Sequence, residues 1–207
     1  KLCLPEVDLA DLVQAASMIN QSQRPVLYFG GGVASSGAGE ELHQLMEKAE
    51  IPAVHTLMAA GVLSYDDPMN LGLLGMHGSR TANLAVDRAD LVLAVGTRFS
   101  DVVVDLGLVG DIKQVLTKLL PQIEQKQHTD WKQRIQAWQA EDYKPADDDT
   151  VLKPHQVIGK ICEIAGDDSI LVTDVGQHQM WAIQYCKRVK PNSFLTSGGL
   201  GTMGYGY

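Results

Sequence analysis

Five short stretches carry residue types and spacings that suit chemistry on a phosphorylated or aromatic ligand. Gly30-Gly31-Gly32 follows the apolar run Val26-Leu27-Tyr28-Phe29. Residues without a Cβ let the backbone approach a phosphate or a flat ring, and they tolerate positive φ. The triplet is not a G-x-G-x-x-G fingerprint and suits an ordinary tight turn equally well. In Leu74-Gly75-Met76-His77-Gly78 two glycines bracket a planar polar side chain; the plain alternatives are a structural histidine and a methionine that plugs the core. Arg98, just past Leu-Val-Leu-Ala-Val and Gly96-Thr97, suits a pyrophosphate, or else a surface ion pair of little worth. In Asp174-Val175-Gly176-Gln177-His178 an amide and an imidazole stand where a helix begins and offer donors to a phosphate. The Asp or Gly there also suits a simple N-cap. Ser197-Gly198-Gly199-Leu200-Gly201-Thr202-Met203-Gly204 has the freedom of a loop pressed against a ligand, with Met203 as a bulky apolar side chain.

Other chemistries fit poorly. No Ser-His-Asp or Cys-His order stands out, and no second His, Cys or carboxylate accompanies His77 at metal-ligand spacing.

The elements that must carry these stretches alternate in period. Residues 8–21 place Leu9, Leu12, Val13, Ala16 and Ile19 on one helical face, and 39–49 do the same with Leu42, Leu45, Met46 and Ala49. A third helix is expected over 81–88. Residues 26–29, 51–57 and 90–95 are mostly apolar runs, expected as buried strands. Such alternation predicts an α/β fold with a doubly wound parallel sheet, right-handed crossovers and ligands at the carboxyl ends of the strands. Glycine clusters follow Phe29, Leu57 and Val95, where those ends should lie.

Further helices are expected over 111–123 and 130–140. Residues 143–153 read as a linker, with Pro145 and the solvated run Asp147-Asp148-Asp149. A second α/β unit then begins, with a helix over 154–165, a strand over 170–173, a helix over 177–187 and a strand over 194–196. The stretch 102–110 is too short for the helix and return strand that should follow Val95, so a segment is expected to be missing there.

The 207 residues suit one large domain or two small ones, at roughly 100–200 residues per domain. Hydrophobic residues make up 45 % and charged ones 20 %, enough for a real core. The net charge of −8 argues against nucleic acid or an anionic membrane as main partner. No apolar run approaches the roughly 20 residues that span a bilayer, and residues 1–5 do not read as a signal peptide. Cys3, Cys162 and Cys186 are too few and scattered for a disulfide framework, which suggests a reducing compartment with Cys162 as inert core. The sequence starts without Met and stops inside a glycine-rich run, so it is expected to be a piece of a longer protein.

Taken together, Gly30-Gly31-Gly32-Val33, Thr56-Leu57-Met58, Leu73-Leu74-Gly75-Met76-His77-Gly78, Ala94-Val95-Gly96-Thr97-Arg98-Phe99, residues 173–181 and residues 196–204 resemble the acetolactate synthase (acetohydroxyacid synthase) catalytic-subunit family of thiamine diphosphate enzymes. The resemblance implies a middle FAD-binding-type domain over 1–142 and the start of a C-terminal thiamine-diphosphate-binding domain over 154–207. It implies FAD contacts at Gly30, Gly31, Gly32, Thr56, Leu57, Leu74, Gly75, Met76, His77, Gly96 and Arg98. It implies thiamine diphosphate contacts at Val175, Gly176, Gln177, His178, Gly201 and Met203, with Met203 under the thiazolium. The reaction implied is decarboxylation of pyruvate and condensation of the hydroxyethyl carbanion with pyruvate or 2-ketobutyrate, in branched-chain amino-acid biosynthesis.

Ser100-Asp101-Val102 departs from the family, which has two acidic residues and an arginine after Arg-Phe. The family's catalytic Glu and its Mg²⁺-binding Gly-Asp-Gly…Asn motif are outside this sequence, so no catalytic or metal residue is assigned. The resemblance further implies a homodimer or homotetramer, a possible small regulatory subunit, and a cytoplasmic (or, in a eukaryote, organellar) protein. Two alternatives remain: another thiamine diphosphate enzyme acting on pyruvate (a catabolic acetolactate synthase or a pyruvate oxidase), and a non-catalytic nucleotide-binding module.

Overall fold

The computed structural model describes residues 5–98, 103–143, 145 and 150–206. Phe99, Ser100, Asp101, Val102 and the acidic run 147–149 lie outside the described residues.

The chain begins with α1 (Leu9–Gln21), β1 (Pro25–Phe29), α2 (Gly31–Ser36) and α3 (Gly39–Ala49). It continues through β2 (Ala53–His55), a 3₁₀ turn (Leu57–Ala59), β3 (Asn70–Leu73), α4 (Arg80–Arg88) and β4 (Leu91–Val95). After β4 come α5 (Ile112–Leu119), a 3₁₀ turn (Leu120–Gln122) and α6 (Thr129–Glu141). The second unit has α7 (Pro154–Ala165), β5 (Leu171–Thr173), α8 (Gln177–Tyr185) and β6 (Phe194–Thr196).

β1 to β4 form one parallel sheet in the order β3-β2-β1-β4. β1 is central and apolar on both faces. Leu27 and Phe29 turn to a core shared with α1, α2, α3 and α5, whereas Val26 packs with Val54, Leu71, Ala82, Ala85, Trp131 and Ile135 beneath α4 and α6. Trp131 Nε1 donates to the Pro25 carbonyl (3.1 Å), which satisfies the polar end of a buried indole. Helix starts follow side-chain chemistry: Asp8, Ser79 and Asp111 each accept a backbone N–H of the first turn of α1, α4 and α5.

The fold differs from the periodic pattern in four places. Gly30-Gly31-Gly32 is not a bare turn; Gly30 caps α2, and Gly37 at φ +64 ends it. β2 stops at His55, and Leu57 opens a 3₁₀ turn. Asn70–Leu73 is an extra strand inside the glycine-bearing stretch, concealed because Gly72 sits in it at φ +87. The second glycine cluster, Gly75 and Gly78, therefore follows β3 rather than β2. Cys162 is not an isolated core thiol: it is disulfide-bonded to Cys186, joining α7 to the end of α8 with Cα atoms 5.6 Å apart.

Among the described residues β4 pairs with β1 alone, and on one face its Val92 (42 % exposed) and Ala94 stand uncovered. Residues 103–110 run without a helix or strand, packing Leu106 and Leu108 on the core edge. β5 and β6 pair in parallel with α8 between them, a βαβ unit. Its core, Ala182, Ile183 and Phe194, closes over Ala60, Leu57 and Leu73, so the second unit packs on the loops beyond β2 and β3.

Candidate functional site

β1 connects toward β2 on one side and lies beside β4 on the other, so the strand order reverses between β1 and β4. Ligands of open α/β sheets bind in the crevice that such a reversal opens at the carboxyl ends. The turns after β1 and β4 meet there. The N–H of Gly30 donates to the Val95 carbonyl (2.9 Å) and that of Gly32 to the Gly96 carbonyl (3.0 Å). A Cβ at Gly30 would stand 2.5 Å from Gly96 O, and one at Gly32 2.8 Å from Gly96 Cα. These glycines therefore serve first to bring two backbones together.

The neighbouring loops continue the same rim. Thr56 N donates to Phe29 O (3.0 Å) and Leu74 N to His55 O (3.0 Å). Met58 lies against Gly31, where a Cβ would stand 3.0 Å from the Met58 Cβ. Among the residues expected at FAD, the structure thus gathers Gly30, Gly31, Gly32, Thr56, Leu57, Leu74, Gly75 and Gly96 along one edge. Arg98 is exposed at the end of that edge. Met76 is 90 % exposed, which removes the core-plug alternative, and His77 is exposed beside it.

Beneath the rim, His55 is buried with its ring 5.6 Å from that of Phe29. Burial pushes its pKa down, against the opposing hydrogen bond with the Thr56 carbonyl (2.9 Å).

The second constellation is built on β5, α8 and the glycine-rich segment. Gly176, at φ +149, caps α8 and leaves Gln177 and His178 exposed in its first turn. Asp174 is not the cap: its carboxylate accepts the N–H groups of Gly204 (2.9 Å) and Gly206 (3.0 Å). Those bonds hold its pKa below the usual carboxylate value. They fold the segment back so that Gly201 faces Val175, where a Cβ would be 3.9 Å from the valine methyls. Met203 is 68 % exposed on the folded loop. Below, Thr173 Oγ1 donates to Thr196 Oγ1 (2.8 Å), and Gln179 Nε2 donates to the same oxygen (2.5 Å), a buried network joining α8 to both strands.

The two constellations touch. A Cβ on Gly198 would stand 2.5 Å from Met58 Sδ, so the loops after β2 and β6 abut. Asn83 and Gln184 adjoin these loops and were not singled out by residue spacing, whereas Met58 and Gly198 lie within stretches that were. Asn83 and Gln184 lie on helix faces where nothing in the periodicity separates them from ordinary solvated amides. A cavity of about 740 Å³ lies to one side, between Gly78, Thr81, Asp142, Tyr185 and Arg188, and shares only His77 with the expected contacts.

The chain matches the model of the thiamine pyrophosphate enzyme central domain over residues 12–104 and that of the C-terminal TPP binding domain over 174–207. It is 37 % identical to an acetolactate synthase isozyme 1 large subunit of Escherichia coli, over 100 % of this chain and 42 % of the relative. It is 38 % identical to an acetolactate synthase of Mycobacterium bovis (93 % of this chain, 37 % of the relative). With a mitochondrial acetolactate synthase catalytic subunit of Saccharomyces cerevisiae the identity is 35 % (97 % and 36 %). The chain thus spans about two-fifths of the length of such relatives. The E. coli alignment runs over 235 residues against the 207 of this chain, so at least 28 of its positions have no counterpart here.

Proposed function

The chain belongs to the thiamine pyrophosphate enzymes, with a central domain and part of a C-terminal cofactor-binding domain, and from that premise we propose that it is part of an acetolactate synthase catalytic subunit. The reaction would be decarboxylation of pyruvate and transfer of the two-carbon unit to a second 2-keto acid, pyruvate or 2-ketobutyrate. The observation that carries this reading is the extent of the match. Similarity to acetolactate synthases runs through both units, over 92–100 % of the chain among the bacterial relatives. A non-catalytic nucleotide-binding module gives no reason for the second unit's glycine-rich loop.

Thiamine diphosphate supplies, when bound, an acidic carbon that adds to the keto carbonyl and an electron sink for the carboxylate's bond. For this chain we assign binding to Val175, Gly176, Gln177, His178, Gly201 and Met203. Gly176 allows the close approach that a Cβ would obstruct, since one there would stand 3.1 Å from the His178 ring. Gln177 and His178 present an amide and an imidazole at the first turn of α8, toward which negative charge is drawn. Asp174 holds the 201–206 loop across from them. The role of Met203 is to offer an apolar surface against a ring.

For FAD we assign Gly30, Gly31, Gly32, Thr56, Leu57, Leu74, Gly75, Met76, His77, Gly96 and Arg98. Support comes from the crevice at the strand reversal, rimmed by close-packed backbone, and from Gly75, where a Cβ would meet nothing within 4 Å. Mg²⁺ does not fit the residues in hand: no group of three or more His, Cys, Asp or Glu among the described residues could hold a metal ion. No step is assigned to it here.

We assign the relative's surplus residues to the region 102–110, where β4 has an unpaired edge and the connection to α5 is short for a crossover. Residues 1–142, 143–153 and 154–207 are assigned as central domain, linker and start of the C-terminal domain. The names "large subunit" and "catalytic subunit" of the relatives support a smaller regulatory partner, and a homodimer or homotetramer in the cytoplasm completes the proposal. No helix among the described residues is long and apolar enough to cross a membrane.

The test is an assay on the complete gene product with pyruvate, thiamine diphosphate, Mg²⁺ and FAD. Formation of acetolactate by a protein with a flavin spectrum is expected. No acetolactate under those conditions overturns the activity, and an active, colourless holoprotein overturns the FAD assignment.

A further inference from the structure

The 74–78 loop adopts a shape that its own side chains do not enforce. Gly75 has φ +106, and a Cβ on Gly78 would run into the Leu73 carbonyl oxygen. Met76 and His77 are exposed, so neither is anchored by packing. One backbone bond, from Gly78 N to Gly75 O (3.0 Å), closes the turn.

Leu74 is tied down by its N–H on the His55 carbonyl (3.0 Å) and by packing on the core, and beyond it two amide side chains restrain the loop. Asn83, on the exposed face of α4, accepts the Gly75 N–H at Oδ1 (3.1 Å) and donates from Nδ2 to the Gly75 carbonyl (2.9 Å) and the Ser79 carbonyl (2.9 Å). An amide answering both the donor and the acceptor of one residue fixes the two peptide units that flank it. From the second unit, Gln184 of α8 donates from Nε2 to the His77 carbonyl (2.9 Å). The loop is thus held at Gly75 by the central unit and at His77 by the C-terminal unit.

We propose that Asn83 and Gln184 are positioning residues of the dinucleotide site, and that Gln184 makes this site depend on α8. The inference rests on the FAD reading above. α8 has Gln177 and His178 in its first turn and Gln184 in its last. It therefore carries proposed diphosphate contacts at one end and holds the 74–78 loop at the other. A ligand that orders the first turn of α8 favours the arrangement in which Gln184 meets His77, and by linkage each cofactor tightens the other by the same factor.

The experiment uses the complete gene product and two kinds of variant. Asn83→Ala removes all three bonds, and Gln184→Glu keeps size and shape but cannot donate; Gln184→Lys keeps a donor. FAD binding is titrated by flavin fluorescence, and exchange of the Gly75 amide is followed without cofactor. Loss of one such bond in Gln184→Glu and of three in Asn83→Ala predicts FAD binding weaker by roughly fivefold or more in each, with recovery in Gln184→Lys. Gly75 exchange should accelerate in Asn83→Ala with the thermal midpoint little changed, because both side chains are exposed. In the wild type FAD should tighten thiamine diphosphate binding, and Gln184→Glu should abolish that effect. If the wild type binds FAD and both variants bind it equally well, the positioning role is wrong while the FAD reading stands. Should the wild type bind no FAD, the FAD reading fails and this inference with it.

Discussion

Gly61 lies so close to Lys190 that any side chain at position 61 would run into the Lys190 carbonyl oxygen. Gly61 follows β2 in the central unit, and Lys190 follows α8 in the second. The contact is backbone against backbone, with Gly61 at φ +82, where L side chains are strained. Gly61→Ala should therefore cost at least about 2 kcal/mol and loosen the second unit from the first. Chemical denaturation and limited proteolysis around 186–192 would register it; unchanged stability and cleavage would mean that the units adjust freely there.

His55 gives a pH dependence with a definite sign. Its folded pKa is lowered, chiefly by burial, so the unfolded chain takes up the proton first as pH falls. Stability should decline as pH drops below about 6.5, the ordinary histidine value. His128, also lowered chiefly by burial, adds to the same slope. In His55→Asn that slope should be shallower between about pH 6.5 and 5, as measured by urea unfolding at several pH values. An unaltered slope would show that His55 is not held neutral.

Asp174 titrates in the opposite sense. The Gly204 and Gly206 N–H groups lower its folded pKa. Its hold on the loop is complete above the ordinary aspartate value of about 3.9 and is lost as pH falls through the lower folded value. At neutral pH, Asp174→Asn should speed amide exchange at both glycines and weaken thiamine diphosphate binding. Exchange that stays slow in the variant would leave Asp174 without that role.

Cys162–Cys186 closes a sequence separation of 24 residues. Chain-entropy arguments give such a link roughly 3 kcal/mol relative to the reduced chain. Reduction, or Cys162→Ser, should lower the unfolding midpoint of the second unit while leaving that of the β1–β4 sheet nearly unchanged. Equal midpoints with and without reductant would show that the bond adds no stability.

Much of this molecule is readable along the chain because helices and buried strands announce themselves by local pattern. Leu42, Leu45, Met46 and Ala49 mark α3 at its observed bounds, and the run from Val26 to Phe29 marks β1 as a strand buried on both faces. Asn70–Leu73 escaped because Asn and Gly are poor strand residues. Only the ladder offered by β2, and the burial of Leu71, make it one.

The site divides along the same line. Glycine clusters, Gln177-His178 and Met203 are local features, and residue types together with the resemblance mark them as expected cofactor contacts. What residue order does not contain is which loops meet. The pairing of Gly32 with Gly96, the contact of Met58 with Gly198, the disulfide between Cys162 and Cys186, and the reach of Gln184 to His77 all join segments remote in sequence. Such partners are set by the strand order β3-β2-β1-β4 and by the seating of the second unit on the loops beyond β2 and β3. Residue types determined what each loop offers; packing of the sheet determined what it is offered to, because apolar burial orders the strands and distant loop ends must follow.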